Sequence, residues 1–159
     1  MAKVLWPARY HPADSAVFVS NKIVIEAEPA VIWAWLIRAP RWPEWYPNSA
    51  AVRLPDGAGP DLAAGLEFHW RTFGVPLVST VREFVPGERI AWDGRAPGLD
   101  VYHAWVLERS GERETLVLTE ESQHGWLARL SNFVMPNRMS HYHQIWLERL
   151  GDQAASGLP

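Results

Sequence analysis

Between Leu66 and His124 the chain offers five strand-like runs separated only by tight turns. LEFHWRTF meets VPLVSTVREFV across Gly74, PGE turns into RIAWDGR, APGLD turns into VYHAWVLER, and SGERE turns into TLVLTEESQHG. Connections this short join antiparallel neighbours, because a parallel pair needs a crossover of about a dozen residues or more. The spacing therefore predicts a series of hairpins in one antiparallel sheet.

Upstream, VFVSNKIVIEA (Val17 to Ala27) reads as a first strand, rich in β-branched residues. EPAVIWAWLI follows as a helix, with Pro29 suited to its first turn and Val31, Ile32, Trp35 and Leu36 at helical spacing. Next comes APRWPEWYPN, in which Pro40, Pro43 and Pro47 oppose both long helix and ladder, so a short helical segment is expected. NSAAVRL is a further strand, followed by the Gly/Pro loop PDGAGPDLAAG. Residues 1 to 16, with Pro7 and Pro12, read as an irregular lead-in. The sum is about seven strands.

The last element, WLARLSNFVMPNRMSHYHQIWLERL (Trp126 to Leu150), has helical periodicity broken by Pro136. At about 100° per residue, Leu127, Leu130, Phe133 and Val134 share one face. Met139, Tyr142, Trp146 and Leu150 fall on nearly the opposite one. One straight helix cannot serve a single core with both stripes, so a kink or local unwinding is predicted at Pro136. This helix must cover the apolar face of the sheet. A curved sheet wrapped on it leaves room for a cavity. The tail GDQAASGLP is expected to fray.

Composition narrows the function. With 159 residues the chain suits a single domain, 1–159, with a core that can fold alone. Ten tryptophans are many for one small core, since each indole N–H wants a partner, so some are expected to line a cavity. A net charge of −3 without a Lys/Arg cluster argues against nucleic-acid binding. The absence of cysteine removes thiol catalysis, disulfides and Cys-ligated metal. No run approaches the length of about 18 apolar residues that a membrane span needs, and the start MAKVLWPARYHP lacks an apolar leader region. A cytoplasmic protein without integral membrane association is expected.

The order of elements and several local motifs resemble the START-like superfamily, also called SRPBCC or Bet v 1-like. Within it the chain is most similar to small bacterial polyketide cyclase/dehydrase-type proteins. The resemblance rests on IEAEPAVIWAWL (Ile25 to Leu36), WPEWYP (Trp42 to Pro47), VPGERIAW (Val85 to Trp92), TLVLTEESQHG and WLERL, and it spans roughly residues 17–150. It implies an α+β helix-grip fold: a curved antiparallel sheet around a long C-terminal helix, two short helices after the first strand, and a deep apolar cavity between sheet and helix. Members bind lipids, hormones or polyketides, and a few are enzymes, so fold alone does not decide activity. The family order puts the Pro-aromatic segment at one end of the sheet, where Trp42 and Trp45 would serve partly as wall and partly as plug.

Strand parity sorts the polar residues. In VYHAWVLER, His103 and Trp105 share a face opposite Glu108 and are expected inside. In RIAWDGR, Ile90 and Trp92 face in, with Asp93 and Arg95 out. One of Glu120 and Glu121 faces the cavity; the apolar residues leave this open, and the family alternation favours Glu121. An enclosed carboxylate needs a cationic partner, which His103 or Arg82 could supply. A Glu–His pair in an apolar cavity is an acid/base unit. His141 and His143 lie about 200° apart on a helix, so joint metal ligation is not expected, and no H-E-x-x-H motif occurs. His143 sits beside the inner stripe, while His141 is expected in solvent. The expected ligand-contacting set is Trp42, Trp45, Trp70, Trp92, His103, Trp105, Glu121, Tyr142 and His143, with His103 and Glu121 as catalytic candidates and neither metal nor cofactor. The leading expectation is a binding protein for a hydrophobic small molecule that is lipid-like, aromatic or polyketide-like. A cyclase/dehydratase and an interaction module with an incidental cavity are the alternatives, and a homodimer stays open.

Overall fold

The computed structural model describes residues 2–159. Its strands are β1 (Val17–Ile25), β2 (Ser49–Arg53), β3 (Glu67–Thr72), β4 (Val75–Val85), β5 (Arg89–Ala96), β6 (Leu99–Arg109) and β7 (Thr115–His124). Its helices are α1 (Pro29–Ile37), α2 (Trp42–Trp45), α3 (Trp126–Val134) and α4 (Arg138–Ala155). The seven strands form one sheet in the order β1-β7-β6-β5-β4-β3-β2, antiparallel at every step. The helix-grip arrangement expected from the sequence is therefore the observed one.

Alternation fixes which face of each strand enters the core. In β3, Phe68 and Trp70 are buried while Glu67, His69 and Arg71 are exposed. The β3–β4 hairpin turns through Phe73 and Gly74, both at positive φ (51° and 75°). Glycine adopts this without penalty, whereas Phe73 carries the strain. Its ring is packed edge-on against Tyr142 and under the Arg138 guanidinium.

The central strand β6 is buried on both faces, which is why its parity was ambiguous. Trp105 and Leu107 enter the main core, while Tyr102, Ala104 and Val106 belong to a second cluster on the outer face. The N-terminal segment supplies the cover. Val4 and Tyr10 are buried there, Tyr10 stacks on Tyr102 at 5.2 Å, and the Tyr10 hydroxyl donates to Asp100 at 2.7 Å. Arg9 also pairs with Asp100. Residues 2–14 are thus a structural flap with two 3-10 turns rather than a loose lead-in. Asp93 does face outward, but it is buried and takes a 2.7 Å ion pair from Arg82. Arg82 is therefore engaged with Asp93, a corrected expectation, since it had been a candidate partner for the cavity carboxylate.

Helix α4 is held on the inner face by Trp146, Leu147 and Leu150, all essentially inaccessible. It also contacts α1 and β1, where the Asn21 amide donates to the Ser140 carbonyl at 3.1 Å. The tail does not fray. Helix α4 continues to Ala155, Ala154 is buried, and the Trp35 indole donates to the Gly157 carbonyl at 2.6 Å. The predicted break is present, with α3 ending at Val134 and α4 beginning at Arg138 around Pro136. The stripe before it behaves otherwise than expected. Leu130, Phe133 and Val134 are exposed, and Ala128 is the buried residue of α3.

The Pro-aromatic segment forms a 3-10 turn (Ala39–Arg41) running into the single turn of α2. Trp42 is fully buried, and its indole donates to the Leu36 carbonyl at 3.0 Å. Its ring meets those of Phe68, Trp70, Trp92 and Trp146 at 5.2–6.1 Å. Three prolines and three rings in ten residues thus serve as a plug that joins the end of the sheet to α4. The indole is satisfied by the last turn of α1, so its full apolar area can be buried.

Candidate functional site

A cavity of about 300 Å³ lies between the inner face of the sheet and the two C-terminal helices. Its walls are mostly apolar: Tyr46, Trp70, Leu77, Trp92, Leu99 and Val101 on one side, and Leu127, Leu130, Val134, Met135, Met139 and Trp146 from α3, α4 and the break between them. Into this lining come His103, Glu121, Gln123 and His143.

Three elements build the polar cluster. His103 on β6 and Glu121 on β7 are direct cross-strand partners, so a shared inward face brings them together. Glu120 lies on the other face, where it accepts from the Ser20 hydroxyl at 2.8 Å. Helix α4 adds His143 from above. The Glu121 Oε2 oxygen stands 3.2 Å from His103 Nδ1 and 3.2 Å from His143 Nε2, while Oε1 accepts from the Gln123 amide at 2.6 Å. The two imidazoles stack, their centroids 4.7 Å apart and their planes within 4°. All three side chains are nearly inaccessible to solvent.

Charge and proton positions follow from this geometry. Burial pushes His103 down, to about 3, against the attraction of Glu121, with neighbouring His143 adding to the depression. Burial works to raise the Glu121 carboxyl. The attraction of His103, the bond and charge of His143 and the Gln123 amide outweigh it and hold the group at about 2. At neutral pH the pair is thus a neutral imidazole beside an ionised carboxylate. A carboxylate only accepts. His103 Nδ1 and His143 Nε2 both face the carboxylate, and His143 Nε2 donates to it. The other nitrogen of His103, Nε2, shares a hydrogen bond with the Thr119 hydroxyl at 2.7 Å, and that hydroxyl also donates to the Ala104 carbonyl at 3.3 Å. His143 Nδ1 is buried and has no hydrogen-bond partner among the described residues. The indole N–H of Trp146, one helical turn away, is likewise buried and unpartnered.

His103, Glu121 and His143 also form a group of three donors whose atoms lie within 4.8 Å of one another, close enough to surround a metal ion. An imidazole lone pair lies in the ring plane, and two stacked parallel rings cannot both contain one ion in their planes. At least one ring would have to turn before both could ligate. The arrangement present is that of a hydrogen-bonded cluster, complete except at His143 Nδ1.

Of the residues singled out in the sequence, Trp70, Trp92, His103, Glu121 and His143 line the cavity. Trp42 and Trp45 lie in the core behind it, and Trp105 is packed edge-on against Trp146 at 5.0 Å. Tyr142 sits half-buried against Phe73. His141 is exposed, as its helical phase required. Sequence reasoning missed Tyr46, Gln123, Trp146 and the whole α3 wall. Gln123 was recoverable, since it lies two residues from Glu121 and so on the same strand face. Trp146 stood on the inner stripe of the helix. Nothing in the sequence signalled that α3 would turn Leu127 and Ala128 toward the cavity and keep Trp126 and Phe133 outside.

Among known structures, a hypothetical protein of Helicobacter pylori is similar over 97% of both chains, at 31% identity and a TM-score of 0.90. The Zhui aromatase/cyclase of Streptomyces sp. R1128 matches 87% of this chain and 93% of its own, at 15% identity and a TM-score of 0.66. A START superfamily protein of Mycobacterium smegmatis matches 84% of this chain and 98% of its own, at 10% identity and a TM-score of 0.62. The last two likenesses concern the fold alone. No curated protein matches the sequence. The model of the family described as polyketide cyclase/dehydrase and lipid transport matches residues 16–155, which is most of the chain, and the protein belongs to that family.

Proposed function

We propose that the protein binds a hydrophobic small molecule carrying one hydroxyl or carboxylic acid group, with its apolar body in the cavity and its polar end at His143. The carrying observation is the pair of unpartnered buried nitrogens, His143 Nδ1 and Trp146 Nε1, in an apolar enclosure. A buried polar atom without a partner costs about 1–3 kcal/mol, and a ligand hydroxyl that bonds to it removes that cost. The Trp146 N–H, i+3 on the same helix, offers a complementary donor to the same oxygen. Cavities of this kind, apolar with a few convergent polar groups, are what small-molecule sites need.

A second reading is favoured by one observation, the Glu121–His143 contact of 3.2 Å. A carboxylate behind an imidazole fixes its tautomer and stabilises the imidazolium formed when the other nitrogen takes a proton. In a cyclase- or dehydratase-type reaction on a polyketide-like substrate, His143 would be the base and Glu121 its orienting partner. His103, with both nitrogens engaged by protein groups, would hold Glu121 in place.

Native mass spectrometry of the purified protein tests the binding reading. A co-purified apolar adduct is expected, and it should be absent from Val75→Trp, which fills the cavity. An apolar adduct that persists in Val75→Trp, or a wild type that takes up no apolar molecule from an extract, counts against it. The readings separate at His143→Ala. Weaker affinity of about 5- to 100-fold marks a binder. Turnover slowed by about 10²–10⁴-fold at nearly constant KM marks the base.

A further inference from the structure

We propose that the outer face of α3 docks on an anionic lipid surface, placing the mouth of the cavity against the bilayer. Helix α3 is built the opposite way from a core helix. Its buried residue is the small Ala128, while Trp126, Leu130, Phe133 and Val134 are 51–86% exposed. These four fall within about 100° of one another around the helix axis, so they make one contiguous apolar face, continued by Met135. A face of this kind on a described surface marks an interaction site.

Charge identifies the partner. From Ser122 to Leu147 the chain contains no Asp or Glu, although it has 18 of them in all. The formal charges in that stretch are Arg129 and Arg138, on a protein whose net charge is −3. Neither arginine makes an ion pair among the described residues. An apolar helix face with basic residues beside it is the pattern that seats in the headgroup boundary of an anionic bilayer. Trp126 suits that boundary, since an indole has an apolar body and a polar edge. A second copy of the chain fits less well, because a two-fold contact through this face would set like-charged arginines against each other.

The helix is also placed so that docking reaches the cavity. The residues behind the exposed face, Leu127 and Ala128, line it, as do Leu130, Val134 and Met135 at the edge of that face. The helix is held at its ends. At the start, Gly98 and Gly125 pass so closely that a Cβ on Gly125 would lie 2.2 Å from the Gly98 carbonyl oxygen, and Leu127 N donates to the same oxygen at 3.0 Å. At the other end lies the Pro136 break. The proposal gives the route by which the ligand read above would enter, yet docking itself does not depend on that ligand.

Flotation with phosphatidylcholine vesicles, with and without phosphatidylglycerol, tests it on the intact chain. Binding is expected to vesicles containing phosphatidylglycerol and should fall at high salt. Phe133→Ser should weaken it by about 10-fold or more, the loss for withdrawing one large apolar side chain. Arg129→Glu should abolish the preference for the anionic lipid. Both positions are exposed, so thermal melting should stay unchanged and report intact folding. Val75→Trp, which closes the cavity, should still float, separating docking from ligand uptake. No flotation with either vesicle, equal flotation of Phe133→Ser, or a wild-type dimer that Phe133→Ser converts to monomer would each overturn the proposal.

Discussion

Glu121 concentrates the chemistry of this protein in one carboxylate. It is buried, ionised, bonded by His143 and Gln123 and faced by His103. Such a group is costly to leave unpaired, because removing one partner strands the charge. Glu121→Leu removes the charge itself and leaves the buried imidazoles without their acceptor, so it should destabilise the fold by about 1–3 kcal/mol, measurable by urea unfolding. The pair also sets the acid response. Both folded pKa values lie below their unfolded counterparts, so the unfolded chain binds more protons as pH falls. Stability should be fully present near neutral pH. It should fall from about pH 6.5, the free imidazole value, through the carboxylate range toward pH 3. His103→Asn keeps a donor to Glu121 but does not titrate, and its unfolding midpoint should lose the slope between pH 6.5 and 4.5. A slope as steep as in the wild type would mean that His103 is not held neutral.

At the scale of elements, two junctions decide the site. The first is the His103–Glu121 register across β6 and β7, which the parity of each strand made partly readable. His103 and Trp105 were placed on one face, but the apolar outer face of β6 blurred the assignment. The reason is now plain: residues 2–14 bury that outer face, and two-sided burial removes the alternation on which parity reading relies. The second junction is Gly98 against Gly125, at φ 73° and 105°. Gly98 lies under the Trp126 indole, where an added Cβ would approach Nε1 to 2.2 Å. Gly98→Ala would meet both a left-handed backbone and this ring, and should cost about 1–3 kcal/mol. It should also displace α3, seen as faster amide exchange across Trp126–Val134 than elsewhere. The Pro136 break was legible because a proline and a change of stripe coincide. The outward turn of the α3 stripe was not, since periodicity gives a face and not its direction.

For the whole molecule, the run of hairpins and the terminal helix carried the architecture, and order of elements mattered more than any single motif. The two extremities were misread for one reason. Proline-rich and small-residue segments lack periodicity, yet both are anchored by individual side chains: Tyr10 on Tyr102, and Trp35 on the Gly157 carbonyl. Removing residues 2–10 should uncover Tyr102, Val106 and Leu118. The stability loss should be roughly 3–5 kcal/mol, from the apolar area of Val4, Trp6 and Tyr10, and should appear as a lower melting temperature with binding of an apolar dye. The site was legible only in part, because its third member comes from a helix whose placement over the sheet no local pattern encodes.

The central claim is that His143 Nδ1 receives a hydrogen bond from a ligand lodged in the apolar cavity. Comparing 2-naphthol with 2-methoxynaphthalene tests it most directly, because the two share an apolar body and an oxygen acceptor but only the first donates. Titration calorimetry on the wild type should give tighter binding of the naphthol by about 5- to 30-fold, the worth of one buried hydrogen bond. In His143→Leu the two should bind alike. Equal affinities in the wild type, or a preference for naphthol that survives in His143→Leu, would contradict the account.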